Sequence, residues 1–392
     1  MDKTDQPSLS YILNELGEDH ASYFNAVSPP IIQTSNFLFN TVEDLRKAFA
    51  NEYDAILYSR GNNPTVDILR KKLAALDGAE DCLVFNSGAA AIFCSVLPFV
   101  KAGDHIVSVK APYTWAKRMF DVILTRFGVT TTYIDGTDIV NWQNAMKPNT
   151  TVFYLESPNS WTYELQDLSA VAQLAKANNI TSIIDNSYCS PIHQKPIAFG
   201  IDLVLQSATK YIGGHSDTVA GVLTGSHEKM TKIFNSEYLT TGSGCTPFHA
   251  WLLLRGLRTL PMRLAYITKT TNEIVTWLQQ HPKVESVIFP FDPDFPQYEL
   301  AKKQMTGACG LLTFIMKATS VEEIESFSNS LKHIRMAVSW GGHESLIIPR
   351  VAGIKKASFN AANREHRMLR LYVGLEEAAY LKADLEQAFE QV

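Results

Sequence analysis

Short apolar runs alternating with helix-patterned stretches predict an α/β fold: a mostly parallel central sheet with crossover helices, followed by a smaller α+β domain. Three observations carry the prediction. Six apolar runs, at 82–85, 106–109, 129–134, 152–155, 183–184 and 203–205, have strand length and helical stretches between them. The stretch 202–225, DLVLQSATKYIGGHSDTVAGVLTG, reads as a strand, a Lys-bearing turn rich in Gly and small polar residues, and a second strand. Beyond residue 243 the pattern changes, with strands at 284–288 and 310–315 interleaved with helices at 321–331 and 378–391.

Taken in order, residues 1–58 lack a strong repeat and read as an arm, broken by Pro29-Pro30, with Thr41 capping a short helix. Val66, Leu69, Leu73 and Leu76 mark one face of a helix. Asn86-Ser87-Gly88 turns the chain from the first apolar run into a helix at 89–97, whose N-terminal N–H groups and dipole suit an anion. Tyr113, Glu156, Asp185 and Lys210 each follow a strand, at the edge where an open α/β sheet exposes its ligand site. Ser207 and Thr209 gather two hydroxyls beside the Lys210 amine, which desolvation would make nucleophilic towards a carbonyl. The cluster TTGSGC ending at Cys245 marks a boundary, and a helix over 247–260 leads into the last domain. There Leu381, Leu385 and Phe389 recur every four residues as a packing stripe.

With 392 residues, 46% of them hydrophobic, the chain is long enough for two or three domains. A net charge of -5 spread without single-sign blocks gives no nucleic-acid-binding face, so small-molecule chemistry is expected. No secretory leader pattern and no apolar run of about 18 residues is found, which predicts no membrane association and a cytoplasmic protein. Cys82, Cys94, Cys189, Cys245 and Cys309 are scattered and lack CxxC spacing, as reduced thiols would be. Neither HExxH nor a Cys/His cluster predicts a metal.

SATKYIGGHSD, around Lys210, resembles the cofactor-lysine signature of the Cys/Met-metabolism family of pyridoxal phosphate enzymes, which includes cystathionine γ-synthase and cystathionine β- and γ-lyases. YSRGNNPT from Tyr58, SGAAAI from Ser87, IIDNSY from Ile183, LLLRGLRTL from Leu252, SWGGHESLI from Ser339 and LRLYVGLE from Leu369 continue the resemblance in family order. It implies pyridoxal 5′-phosphate as cofactor and the aspartate-aminotransferase-like fold type I. The domains would be an arm at 1–58 contacting a neighbouring subunit, a cofactor domain at 59–243 and a C-terminal α+β domain at 244–392. A homotetramer built from two active dimers is implied as well.

By the same resemblance Lys210 carries the cofactor and acts as general base, and Asp185 pairs with the pyridine nitrogen. Tyr113 stacks on the ring and assists proton movement; Ser87, Gly88, Ala89, Ser207 and Thr209 hold the phosphate, joined by Tyr58 and Arg60 of the adjacent chain. Arg370 takes the substrate α-carboxylate, near Ser339 and Trp340, with Arg350 and Arg367 as sequence neighbours that compete for the role. The Asn of the family's Glu-Thr-Pro-Ser-Asn-Pro motif is displaced here to Asn159.

The implied activity is a carbon–sulfur lyase of transsulfuration and methionine biosynthesis. Ser339-Trp340-Gly341-Gly342, GAAA from Gly88 and ESPNS from Glu156 resemble bacterial cystathionine β-lyases and favour β-elimination to pyruvate, ammonia and a thiol. Val338, where γ-synthases and cystathionine γ-lyases have Glu, pulls towards methionine γ-lyases and homoserine-ester sulfhydrylases, so γ-elimination or γ-replacement is the alternative. A catalytically silent oligomeric binding protein on the same fold is a remote third reading.

Overall fold

The computed structural model describes residues 7–392, and the chain divides into two compact units. The first takes in the chain as far as Ser157, then Leu165–Gly213 and Asp217–Arg258; the second comprises Pro158–Glu164, Gly214–Ser216 and Thr259–Val392.

The first unit is built on a seven-stranded sheet of β1 (Asp81–Phe85), β2 (His105–Val109), β3 (Thr130–Ile134), β4 (Thr150–Glu156), β5 (Thr181–Asp185), β6 (Leu203–Ser207) and β7 (Gly221–Gly225), in the order β1-β7-β6-β5-β4-β2-β3. β7 runs antiparallel to both β1 and β6, and the remaining neighbours are parallel. Because side chains alternate along a strand, the apolar runs feed two cores. Phe85, Ile106, Tyr154, Ile183 and Leu205 bury on one face, and Val107, Phe153, Leu155, Ile184 and Val204 on the other. The parallel strands β4, β5 and β6 therefore end side by side at Glu156, Asp185 and Ser207.

Helix Pro64–Asp77 starts with Asn63 as cap and Pro64 in its first turn, and it stops at Gly78 in the left-handed region. It also fastens the N-terminal stretch to its own chain. Lys72 Nζ pairs with Glu18 at 3.0 Å, each side chain 1% exposed, and donates to the Ile12 and Leu13 carbonyls. Arg258 closes on the same carboxylate at 3.0 Å, and burial pulls the Lys72 pKa down. Two cations on one carboxylate, with backbone acceptors added, are what a buried ion pair requires to hold.

In the second unit β8 (Val284–Ile288), β9 (Leu311–Met316), β10 (Arg335–Met336), β11 (Leu346–Pro349) and β12 (Met368–Tyr372) form a sheet ordered β10-β11-β12-β9-β8, antiparallel except for β10 with β11. Leu381, Leu385 and Phe389 of helix Ala378–Phe389 are buried as the stripe predicts, in one cluster with Phe314, Ile324 and Phe327.

The helix expected over 247–260 does begin at Pro247, but it continues through Pro261 to Gln280. Proline costs an interior helix one hydrogen bond and a clash, roughly 3 kcal/mol. Burial of Leu264, Ile267, Ile274 and Leu278 beyond it outweighs that cost. The changeover between these two compact units, at Arg258–Thr259, lies inside this helix. Among the described residues, no helix is long and apolar enough to cross a membrane.

Candidate active site

Lys210 stands in the turn that follows β6, half-buried, its backbone N–H donating to Ser207 O at 3.1 Å. Asp185 ends β5, where its backbone neighbours are Glu156 on β4 and Leu205 on β6. Burial is the main influence on the Asp185 carboxyl and raises its pKa; hydrogen bonds from Ser187 and the Lys210 charge work the other way. One of those bonds is the Ser187 N–H to Asp185 Oδ1 at 3.0 Å, and the Ser187 hydroxyl in turn accepts from the Ser207 N–H at 2.7 Å. Ser187 thus links the carboxylate to the strand that delivers the lysine.

Tyr113 lies beyond β2, and its N–H donates to Glu156 Oε2 at 2.6 Å. Its phenol pKa is raised, first by burial and then by the Asp185 and Glu156 carboxylates. The phenol therefore keeps its proton across the neutral range.

Ser87 caps helix Gly88–Val96, its hydroxyl accepting from the Ala90 N–H at 3.1 Å. A Cβ on Gly88 would lie 3.2 Å from Ser207 Oγ, so the capping turn packs directly on the end of β6. On the other side β7 approaches so closely that a Cβ on Gly221 would sit 2.3 Å from Ser87 O, which requires glycine there. Ser87, Gly88 and Ser207 are thereby brought together at one helix N-terminus, beside exposed Ala89. The Thr209 hydroxyl is engaged with Ala220, donating to its carbonyl at 3.2 Å and accepting from its N–H at 3.0 Å. Tyr58 and Arg60 are both exposed, the guanidinium 5.7 Å from the Tyr58 ring centroid.

The remaining expected residues belong to the second unit. Arg370 sits on β12 opposite Ile348 and Thr313, donates to Ser160 O at 3.4 Å and stacks 5.1 Å from the Trp161 ring centroid. Arg367 is committed elsewhere, to Glu285 and to Met316 O. Arg350 lies 4.8 Å from the Trp161 centroid. Ser339 holds φ at +77, a strained value for a residue with a side chain, and precedes buried Trp340.

The loop after Trp340 is fixed by Tyr372 Oη donating to Gly342 O at 2.7 Å, by Ser216 donating to Glu344 at 2.7 Å, and by Ser345 donating to Glu376 at 2.7 Å. A Cβ on Gly342 would come within 2.1 Å of Ser216 Oγ, so a side chain there would have to displace the Ser216–Glu344 hydrogen bond. Asn159 turns inward on its own loop, where its Oδ1 accepts from the Trp161 N–H at 2.9 Å. Val338 is 82% exposed.

The donor set of the first unit fits pyridoxal 5′-phosphate. A buried carboxylate with raised pKa gains from a cationic ring nitrogen, a capped helix N-terminus with added hydroxyls receives a phosphate, and a lysine follows the end of β6, the strand next to the one that Asp185 ends. Sequence reading left Glu156, Ser187 and Trp161 without roles. The available signal for Glu156 was its place at a strand end level with Asp185.

A family model described as "Cys/Met metabolism PLP-dependent enzyme" matches residues 12–390. The L-methionine gamma-lyase of Treponema denticola is 38% identical over 377 residues, 94% of each chain. The cystathionine beta-lyase MetC of Bacillus subtilis is 36% identical over 372 residues, covering 94% of this chain and 92% of that one. Among solved structures, the cystathionine gamma-lyase of Lactobacillus plantarum complexed with L-serine superposes with a TM-score of 0.89 at 31% identity, over 98% of this chain and 99% of that one.

Proposed function

From the chain's membership of the Cys/Met metabolism family of pyridoxal-phosphate-dependent enzymes, we propose that it is a carbon–sulfur lyase that performs β-elimination on cystathionine or a related cysteine S-conjugate. With water as co-reactant, the products are pyruvate, ammonia and a thiol. The observation that supports this reading is geometric: Glu156 and Asp185 end neighbouring strands, Lys210 follows the next one, and the Tyr113 N–H is bonded to Glu156. Pyridoxal 5′-phosphate, when bound, supplies the electron sink for the substrate carbanion.

The chain's own residues do the rest. Asp185 would partner the ring nitrogen, and Ser87, Gly88, Ala89, Ser207 and Thr209 would hold the phosphate. The Lys210 amine would act as the base that removes the Cα proton. Tyr113 covers the ring and gives its proton to the departing thiolate at Cβ. Arg370 would bind the substrate α-carboxylate through its guanidinium fork, with Ser339 and Trp340 shaping its surroundings.

We place the enzyme in the cytoplasm as a homotetramer of two active dimers, with Tyr58 and Arg60 of one subunit reaching the phosphate of the next. Support comes from five buried, unbridged cysteines and from Phe24, Val27, Leu38 and Phe49, apolar side chains left exposed on a single chain. The domain limits 59–243 and 244–392 stand as part of this proposal.

A second reading, γ-elimination, is favoured by the likeness to L-methionine gamma-lyases and by Val338. Incubating the cofactor-loaded protein with L-cystathionine and identifying the products by mass spectrometry tests both. Pyruvate with homocysteine is expected, whereas 2-oxobutyrate with cysteine would overturn the β-lyase reading in favour of the second.

A further inference from the structure

Trp161 carries two guanidiniums. Arg370 Cζ lies 5.1 Å and Arg350 Cζ 4.8 Å from its ring centroid, so the two cations stand no farther apart than about 10 Å, the two distances laid end to end. The sheet brings the two near each other. Ile348 opposes Arg370 and Pro349 opposes Leu369 in the β11–β12 pair, and Arg350 opens the short 3-10 turn that follows Pro349.

The two arginines differ in what else they touch. Arg370 is half-buried and donates to Ser160 O. Arg350 is exposed, and among the described residues its side chain pairs with no carboxylate and donates to no acceptor. Two like charges sharing one aromatic platform repel each other, and a ligand carrying two anions relieves both. Guanidinium is also the side chain best shaped to fork onto a carboxylate.

We infer that Arg350, positioned by Trp161, binds a second carboxylate at the far end of the substrate while Arg370 binds the α-carboxylate. This rests on the function proposed above and specifies its substrate class. Thioether or disulfide amino acids acidic at both ends, such as cystathionine and cystine, are preferred over those with a neutral end, such as S-methylcysteine and methionine. Val338 offers no acid for a distal amine, so recognition of the far end falls to its carboxylate.

The test uses two unreactive amino acids of one chain length, L-2-aminosuberate, ending in a carboxylate, and L-2-aminooctanoate, ending in a methyl. Calorimetry on the cofactor-loaded enzyme gives both dissociation constants without any turnover. The wild type is expected to bind the aminosuberate about tenfold more tightly, the size of one charge-assisted hydrogen bond. Arg350→Gln is expected to erase that preference with aminooctanoate binding unchanged, and Arg350→Lys to restore part of it. A wild type without the preference, or Arg350→Gln retaining it, would overturn the inference. Failure of the lyase reading shows separately, as absent or different products from cystathionine.

Discussion

The Tyr113 N–H donates to Glu156 Oε2 at 2.6 Å, joining the loop after β2 to the end of β4. Through that bond a buried carboxylate sets where the aromatic ring stands, and its charge helps to hold the phenol protonated. Glu156→Ala should lower kcat/KM by roughly 10- to 100-fold, the loss of one hydrogen bond to a charged group. Glu156→Gln keeps an acceptor and removes the charge, so it should retain most activity while the alkaline limb of the pH profile moves down. Stopped rates across pH check both; an unmoved limb would remove Glu156 from the account of Tyr113.

Asp185 owes its raised pKa to burial, and it can remain ionised only beside a positive partner. Asp185→Asn removes the anion with little change of shape. A fall in kcat of at least about 100-fold is expected, in the range for losing a preorganised electrostatic group. Steady-state rates with the cofactor saturating provide the check, and a loss confined to cofactor affinity would contradict the role.

Under the function proposed, Arg60 and Lys210 serve one site from different subunits. Arg60→Ala and Lys210→Ala proteins, each nearly inactive, should therefore regain activity when unfolded and refolded together. Half the dimers are hybrids with one intact site of two, so recovery should approach about a quarter of wild type. No recovery, with hybrids confirmed by native mass spectrometry, would place Arg60 on its own chain's site.

Asp77 is buried beneath β6 and β7, where Gln206 Nε2 donates to both its oxygens at 2.9 Å and the Thr224 hydroxyl at 2.8 Å. Burial pushes its pKa from 3.8 up to about 7, against these hydrogen bonds and the Lys195 charge. Because the folded value exceeds the unfolded one, the protonated form favours the fold. That contribution is complete below about pH 4 and is lost as pH rises through about 7, with an amplitude on the order of 4 kcal/mol. In Asp77→Asn, a flipped Gln206 amide, whose Oε1 is otherwise unsatisfied, accepts from the new side chain. The variant should lose less stability than wild type between pH 4 and pH 7 in thermal melts; parallel curves would contradict the assignment.

Much of the first unit was legible because its strands are apolar runs ended by turn residues, and the site residues lie at those ends. The roles expected of Asp185 and Lys210 came from the resemblance that runs along the whole chain, since either short segment alone also fits a loop residue between core strands. The antiparallel entry of β7 was not legible, since an apolar run has no direction of its own. The helix through Pro261 was missed because local propensity stops a helix that tertiary burial carries on. Trp161 with Arg350 and Arg370 was beyond reach for a different reason: the sheet, not the local sequence, brings these distant positions together. Asn159 illustrates the converse, a motif residue whose carbonyl oxygen is used within its own loop.

Lys210 is the residue proposed to bear the cofactor. Borohydride reduction of the yellow holoenzyme, followed by proteolysis and peptide mass analysis, tests it most directly. The expected result is loss of the visible absorbance and one reduced cofactor fixed on the Lys210 side chain, with Lys210→Ala unlabelled. A label on another lysine such as Lys195, or a protein that takes up no pyridoxal phosphate at all, would contradict it.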